Sequence, residues 1–158
     1  VAGDSRDIQR LAPGEYDFIF SCPPYGSLEQ YSDHPADISA MSEANFAEAY
    51  RRIIMESCAL LKPGRFACFV VGDYRNEDGF YCALPAQTIV AFEEAGLRLY
   101  NAAVLLTAIG SLPMRVNRQF LASRKLGTTH QHVLVFAKGQ PKEFLKEWRG
   151  NLLTKEIG

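Results

Sequence analysis

The stretch Asp17-Phe18-Ile19-Phe20-Ser21-Cys22-Pro23-Pro24-Tyr25 decides how this chain is read. Asp17 to Phe20 has the length and the apolar run of a short buried strand. Two prolines then stop it, because each fixes φ at about −65° and has no N–H to continue a ladder. They leave a stiff segment whose carbonyls can face a ligand. Tyr25, directly after them, sets a flat ring beside those carbonyls, suited to stacking on a planar group. Five residues alone are equally compatible with an ordinary proline turn at a strand end, so the rest of the chain must decide.

Ser21-Cys22-Pro23-Pro24-Tyr25 resembles the (Asp/Asn/Ser)-Pro-Pro-(Tyr/Phe) signature of S-adenosylmethionine-dependent methyltransferases that modify N6 of adenine or N4 of cytosine in DNA. Upstream, Gly3-Asp4-Ser5, followed by Ile8, Leu11 and Pro13-Gly14, resembles the Gly-Asp-Ser element before the catalytic strand of these enzymes. Downstream, Tyr100-Asn101, Gly110-Ser111-Leu112-Pro113, Arg124-Lys125-Leu126-Gly127 and the run from His130 to Gly139 resemble the closing portion of phage and bacterial DNA methylases. The likeness extends over most of the chain, from Gly3 to Gly139.

The resemblance implies a catalytic set of Ser21, Cys22, Pro23, Pro24 and Tyr25, and a set binding S-adenosylmethionine of Asp4, Ser5 and Cys22. Its chemistry explains the residue types. An exocyclic base nitrogen is a poor nucleophile while its lone pair is delocalised into the ring, and acceptors beside its N–H bonds localise that pair as the nitrogen attacks a sulfonium methyl. An aromatic residue next to them stacks on a base rotated out of its helix. Cys22 stands where the family has Asp, Asn or Ser, and a thiol accepts weakly. That leaves the Pro23 carbonyl as the surer contact and Ser21 as a substitute. The carboxylate of Asp4 would accept from the adenine amino group of the cofactor. Outside the resemblance, a Gly-Asp dipeptide is usually a turn.

Periodicity along the chain predicts alternating strands and helices. Ser42 caps a helix from Glu43 to Leu61, with Phe46, Tyr50, Ile53, Ile54, Cys58 and Leu61 on one face and Lys62-Pro63-Gly64 as its stop; Arg65 to Val71 is the next strand. Pro85 opens and Gly96 closes a second helix, with Ile89, Phe92 and Ala95 inward. Leu97 to Thr107 and His132 to Lys138 read as strands, and Pro141 to Leu153 as a terminal helix docked by Phe144, Leu145, Trp148 and Leu152. The fold class expected is α/β: a Rossmann-like methyltransferase sheet, mostly parallel with a final antiparallel strand and helices on both faces. Ligands then sit at the carboxyl ends of the strands, where Asp4, the proline turn and Gly72-Asp73 would meet. Asp73 itself reads first as a turn or capping aspartate.

The family holds the methionine part of its cofactor with a Phe-x-Gly-x-Gly type of turn, and none occurs in these 158 residues. The chain is therefore expected to be one catalytic domain, 1–158, forming the C-terminal part of a larger one and lacking its first strands. A missing N-terminal half, or a partner chain, would complete the cofactor site.

The cysteines, at 22, 58, 68 and 82, form no Cys-x-x-Cys pair and lie at no metal-ligand spacing with a histidine, so neither zinc nor a disulfide framework is expected. They read as the reduced thiols of a cytoplasmic protein. No apolar run reaches membrane-spanning length. A net charge of −1 gives no overall attraction to nucleic acid, yet no acidic residue lies between Glu94 and Glu143. That stretch carries Arg98, Arg115, Arg118, Arg124, Lys125, Lys138 and Lys142, besides His130 and His132. Ala108 to His130 reads as a long loop, in which Arg115, Arg118, Arg124, Lys125 and His130 are the candidates for binding DNA through its phosphates. The loop from Gly26 to Met41 is acidic and follows the turn directly, placed to gate the pocket or to shape target choice, with His34 an exposed loop residue. The expected function is methyl transfer to an exocyclic amine of DNA, adenine N6 ahead of cytosine N4. The alternatives are modification of guanine N2 in RNA and a nucleic-acid-binding subunit with a degenerate pocket.

Overall fold

A computed structural model describes residues 2–28, 30–110, 112–144 and 146. Four strands, β1 (Tyr16–Ser21), β2 (Leu61–Val71), β3 (Leu97–Leu106) and β4 (His130–Lys138), form one sheet in the order β1-β2-β4-β3. β1 and β2 are parallel, and β4 runs antiparallel to both β2 and β3. Three strands thus share a direction and the last opposes them, as expected. The helices are α1 (Ile8–Leu11), α2 (Glu43–Leu60), α3 (Leu84–Glu94) and α4 (Leu112–Ser123).

α2 begins at the Ser42 cap, whose hydroxyl accepts from the Asn45 amide at 3.4 Å. It ends earlier than its sequence suggests, and β2 starts at Leu61 instead of Arg65. Lys138 reaches back so that its Nζ donates to the carbonyls of Cys58 (2.8 Å) and Leu61 (2.6 Å), bringing a cation to the negative end of the helix. Lys62-Pro63-Gly64 then becomes an irregularity inside the strand, where the β1–β2 register shifts and Gly64 takes φ +72°. α3 has Pro85 in its first turn and Gly96 at φ +83° just past its end, the expected punctuation.

The stretch Ala108 to His130 is not a plain loop: α4 occupies its middle. Pro113 sits in the first turn of this helix, where proline is tolerated, and Leu112, Val116 and Phe120 repeat at a four-residue spacing. A bond of 2.9 Å from the Thr107 amide to the Thr129 carbonyl closes the base of this excursion.

α2 and α3 lie together on one face of the sheet, and the core between them and the strands is an aromatic chain. Phe136 of β4 stacks on Phe92 of α3 with centroids 3.9 Å apart, and Phe92 meets Phe69 of β2 edge-on at 4.9 Å. Tyr50 of α2 follows at 6.5 Å, then Phe46 stacked on it at 5.5 Å, then Tyr74 edge-on at 6.4 Å. The buried hydroxyl of Tyr50 pairs with that of Thr88 at 2.9 Å, so neither is left unsatisfied. On the other face, Phe144 from the helical turn at 141–144 packs edge-on to Phe66 at 5.4 Å, while Phe18 and Phe20 stay 56% and 61% exposed. Leu145, Trp148 and Leu152 of the expected terminal helix lie outside the described residues. Among the described residues no helix is long and apolar enough to cross a membrane.

Candidate active site

Strand direction brings the chemistry-bearing residues to one end of the sheet. β1 ends at Ser21, opposite Phe69 of β2; β2 ends at Val71, opposite His132; β3 ends at Leu106, opposite His130. Cys22, Pro23, Pro24 and Tyr25 therefore run alongside the last residues of β2. Ser21, Pro23, Pro24 and Tyr25 are half-buried there and Cys22 is exposed.

The turn is locked to β2 by two reciprocal contacts. The ring of Tyr25 lies on Gly72, so close that a Cβ there would fall 2.9 Å from its Cε2. The ring of Tyr74 lies on Gly26, where a Cβ would collide with its Cζ, and Gly26 is also at φ +58°. Each tyrosine is thus seated on the glycine beside the other. Burial pushes the pKa of the Tyr74 phenol and of the nearby Cys82 thiol upward, which keeps both neutral in this packing.

Asp73 acts as the expected loop-closing aspartate. Its Oδ1 accepts from the amides of Tyr74 (2.9 Å) and Leu84 (3.3 Å), tying together the ends of a hairpin that starts at Tyr74 and returns at Cys82. Across this hairpin the Cys82 amide donates to the Tyr74 carbonyl at 2.9 Å, as does Asn76 to Phe80. A cavity of about 370 Å³ opens between Gly26, the start of α2 (Ser42, Glu43, Phe46) and the hairpin turn (Asn76, Glu77, Asp78). Three carboxylates, those of Glu43, Glu77 and Asp78, line it.

Asp4 caps a short 3-10 turn at Ser5–Asp7, and its carboxylate is clamped by Arg6, with Nη2 to Oδ2 at 2.5 Å and Nε to both oxygens at 3.0 Å. The Arg6 guanidinium, acting chiefly through that hydrogen bond, lowers the Asp4 pKa from 3.8 to about 2. Ser5 is exposed in the same turn.

The Gly26 to Met41 segment is knit around Asp37, which accepts from the hydroxyls of Ser39 (2.7 Å) and Ser32 (2.8 Å). His34 is exposed, and its Nδ1 accepts from the Ala36 amide at 3.1 Å, as befits a loop residue.

Of the basic candidates, Arg115 and Arg118 are exposed one turn apart on α4. Arg124 follows the helix at φ +58° with its guanidinium 5.3 Å from the Phe120 ring, and Lys125 lays its Nζ against Gly79 of the hairpin. His130 opens β4 and meets His132 edge-on at 5.3 Å. Lys138 is spent on the end of α2. Sequence reasoning missed the parts played by Gly26, Tyr74 and the hairpin; an isolated glycine after a strand is the signal for a close backbone approach.

Two outcomes follow from this geometry. Gly26→Ala should destabilise the protein by about 1–3 kcal/mol in urea unfolding, because it adds both a clash and backbone strain. Combined with Tyr74→Ala it should cost less than the two singles together, by about 0.5–3 kcal/mol; strict additivity would mean that ring and glycine are not in contact. For Asp4, a lowered pKa means that its pairing stabilises the fold fully above pH 3.8 and is lost as the pH falls through about 2. Carboxyl NMR titration should place the midpoint near there and return it toward 3.8 in Arg6→Ala; a midpoint that ignores Arg6 would contradict the clamp.

No protein-family model and no curated protein matches this sequence. Solved structures do match in shape. A Thermus thermophilus protein assigned as a DNA modification methylase, in complex with S-adenosyl-L-methionine, superposes with a TM-score of 0.61 at 20% identity over 88% of this chain and 54% of its own. The cytosine-N4-specific PvuII DNA methyltransferase gives 0.61 at 14% over 86% and 47%, and M1.HpyAVI bound to SAM gives 0.53 at 12% over 88% and 54%. The chain spans about half the length of these proteins. Its sheet and helices have the Rossmann-like fold of the methyltransferases, as the sequence led us to expect.

Proposed function

We propose that this chain is the catalytic region of an S-adenosylmethionine-dependent DNA methyltransferase, acting on an exocyclic amine and on adenine N6 ahead of cytosine N4. The observation that carries the reading is the Pro23-Pro24-Tyr25 turn, fixed at the carboxyl end of β1 by its contacts with β2. The fold shared with methyltransferases supports it, as does the adjoining cavity, whose carboxylates suit N–H donors better than phosphates.

S-adenosylmethionine would supply an electrophilic methyl on sulfur. Asp4, held ionised by Arg6, fits the amino group of the cofactor's adenine; its methionine part would be held by a segment or partner chain outside these 158 residues. Ser5 and Cys22 complete the set proposed on this chain. The Pro23 carbonyl accepts an N–H of the target amine, with Ser21 or Cys22 taking the other, so that positive charge building on nitrogen is drawn away. The nitrogen so polarised would take the methyl that the bound cofactor supplies, and the proton it gives up would pass to solvent. Tyr25 stacks on the extruded base. Arg115, Arg118, Arg124, Lys125 and His130 engage the phosphates alongside.

Tritium transfer to duplex DNA by the full-length protein tests this. Stacking on one base is worth about 1–3 kcal/mol, so Tyr25→Ala should slow transfer by about 10- to 100-fold with donor binding nearly intact, and Tyr25→Phe should retain it. Cys22→Ser should keep or raise the rate, since a hydroxyl accepts better than a thiol. Unchanged turnover in Tyr25→Ala would remove the stacking role. Replacing Arg115, Arg118, Arg124 and Lys125 by Ala should weaken binding to all duplex sequences alike, and reduce the slope of log K against log salt by about 0.9 for each phosphate no longer neutralised. A loss confined to one cognate sequence would make them base readers instead.

A further inference from the structure

The hairpin from Tyr74 to Cys82 is bound into the molecule more tightly than its exposure suggests. Its base rests on the catalytic turn through Tyr74 and Gly26 and is closed by Asp73. Near its tip, Arg75 lies 3.8 Å over the ring of Tyr81 and donates from Nη1 to the Gly79 carbonyl at 2.8 Å. Asn76 holds the turn from both sides, its Oδ1 accepting from the Phe80 amide at 2.9 Å and its carbonyl from the Gly79 amide at 2.9 Å. The far side is tied to the basic segment, where Lys125 packs on Gly79 and the Tyr81 hydroxyl meets that of Thr128 at 3.4 Å.

Among the side chains this braced hairpin presents to solvent, Phe80 is the most exposed large apolar one. Phe80 is 72% exposed and, among the described residues, stacks on no other ring. Leaving so much apolar area in water forgoes about 25 cal/mol per Å² that burial would return. Its neighbours give it a use: its amide is bonded to Asn76, which with Glu77 and Asp78 borders the carboxylate-lined cavity, and it follows Gly79, against which the cation of Lys125 lies. An apolar ring carried on a braced turn, next to a place for a base and a place for a phosphate, has the form of a wedge. Proteins that unstack duplexes insert phenylalanine in this way.

We propose that Phe80 enters the stack of duplex DNA at the position that the target base vacates, filling the gap and holding the base extruded. This rests on the reading of the chain as a base-modifying enzyme. The wedge itself makes no covalent contact and leaves donor binding untouched. Because the hairpin is held by its own hydrogen bonds before DNA arrives, little ordering cost is incurred on insertion. Its action is at the duplex and not at the reacting amine, so it bears on extrusion and not on the transfer step.

Fluorescence anisotropy with the full-length protein tests it directly, using a labelled duplex and the same duplex carrying one abasic site. The wild type should favour the abasic duplex by about tenfold, the size of one ring-on-base stack formed without breaking another. Phe80→Ala should bind both alike, with an unchanged melting temperature because the ring is exposed, and Phe80→Trp should keep the preference. A wild type without preference, or a Phe80→Ala variant that retains it, would overturn the wedge. Methyl transfer is measured separately: a wild type that prefers the gap but transfers no methyl to DNA would sustain the wedge and remove the proposed reaction.

Discussion

The reciprocal seating of Tyr25 on Gly72 and Tyr74 on Gly26 is the constraint on which this end of the molecule depends. Parallel pairing of β1 and β2 puts the two strand ends side by side, and neither glycine can carry a Cβ without displacing a ring. The turn after β1 is therefore positioned by β2 and by the hairpin after it. Tyr74 is in turn the last member of the aromatic chain that starts at Phe136. Close packing makes such a chain stiff, since a shift at any ring must be taken up by its neighbours. The site is built on the core as much as on its own loop.

Much of this was legible in the sequence because local signals and tertiary demands agree. Ser42 caps the long helix, Pro85 and Gly96 bracket the next, and the strand into Pro23-Pro24 shows in its composition. The failures differ in origin: some lie in contacts between residues distant in sequence, and one in a local signal. No local signal shows that the end of α2 is met by Lys138, about 80 residues later, through its terminal carbonyls. α4 is masked by Gly110 to Pro113, which looks like a breaker, although proline in a first turn is compatible with a helix and the Leu112, Val116, Phe120 stripe is present. Gly72 and Gly26 look like turn residues, because an isolated glycine signals a close approach without showing that a ring will lie on it. The proline turn was legible as the end of a strand, whereas the contacts that hold it were not.

A net charge of −1 conceals a division of labour at this end of the sheet. Glu43, Glu77 and Asp78 surround the cavity, while the acid-free excursion between β3 and β4 carries Arg115, Arg118, Arg124 and Lys125. The two regions meet at Gly79, against which Lys125 lies. On the proposed function, that division sorts a nucleotide by its own chemistry, the phosphate drawn to the cations and the neutral, amine-bearing base to the carboxylates. The cations make few ion pairs that would have to be broken first, since the salt bridges among the described residues lie elsewhere, as at Asp17 with Lys62 and Arg65.

Such a framework explains how Cys22 can stand in the turn. If the side chain at this position set the geometry of the loop, a thiol would be a poor choice, because its weak hydrogen bonds could not hold a chain end in place. Here the geometry is set by backbone contacts on either side: the β1–β2 ladder up to Ser21, and the glycine seats from Tyr25 onward. Between them the two prolines have few conformations left to choose from. Position 22 is thereby released from any structural duty, which fits its exposure. On the proposed function what remains for it is chemical, and the Pro23 carbonyl, held between the same two sets of contacts, would supply that chemistry without a side chain.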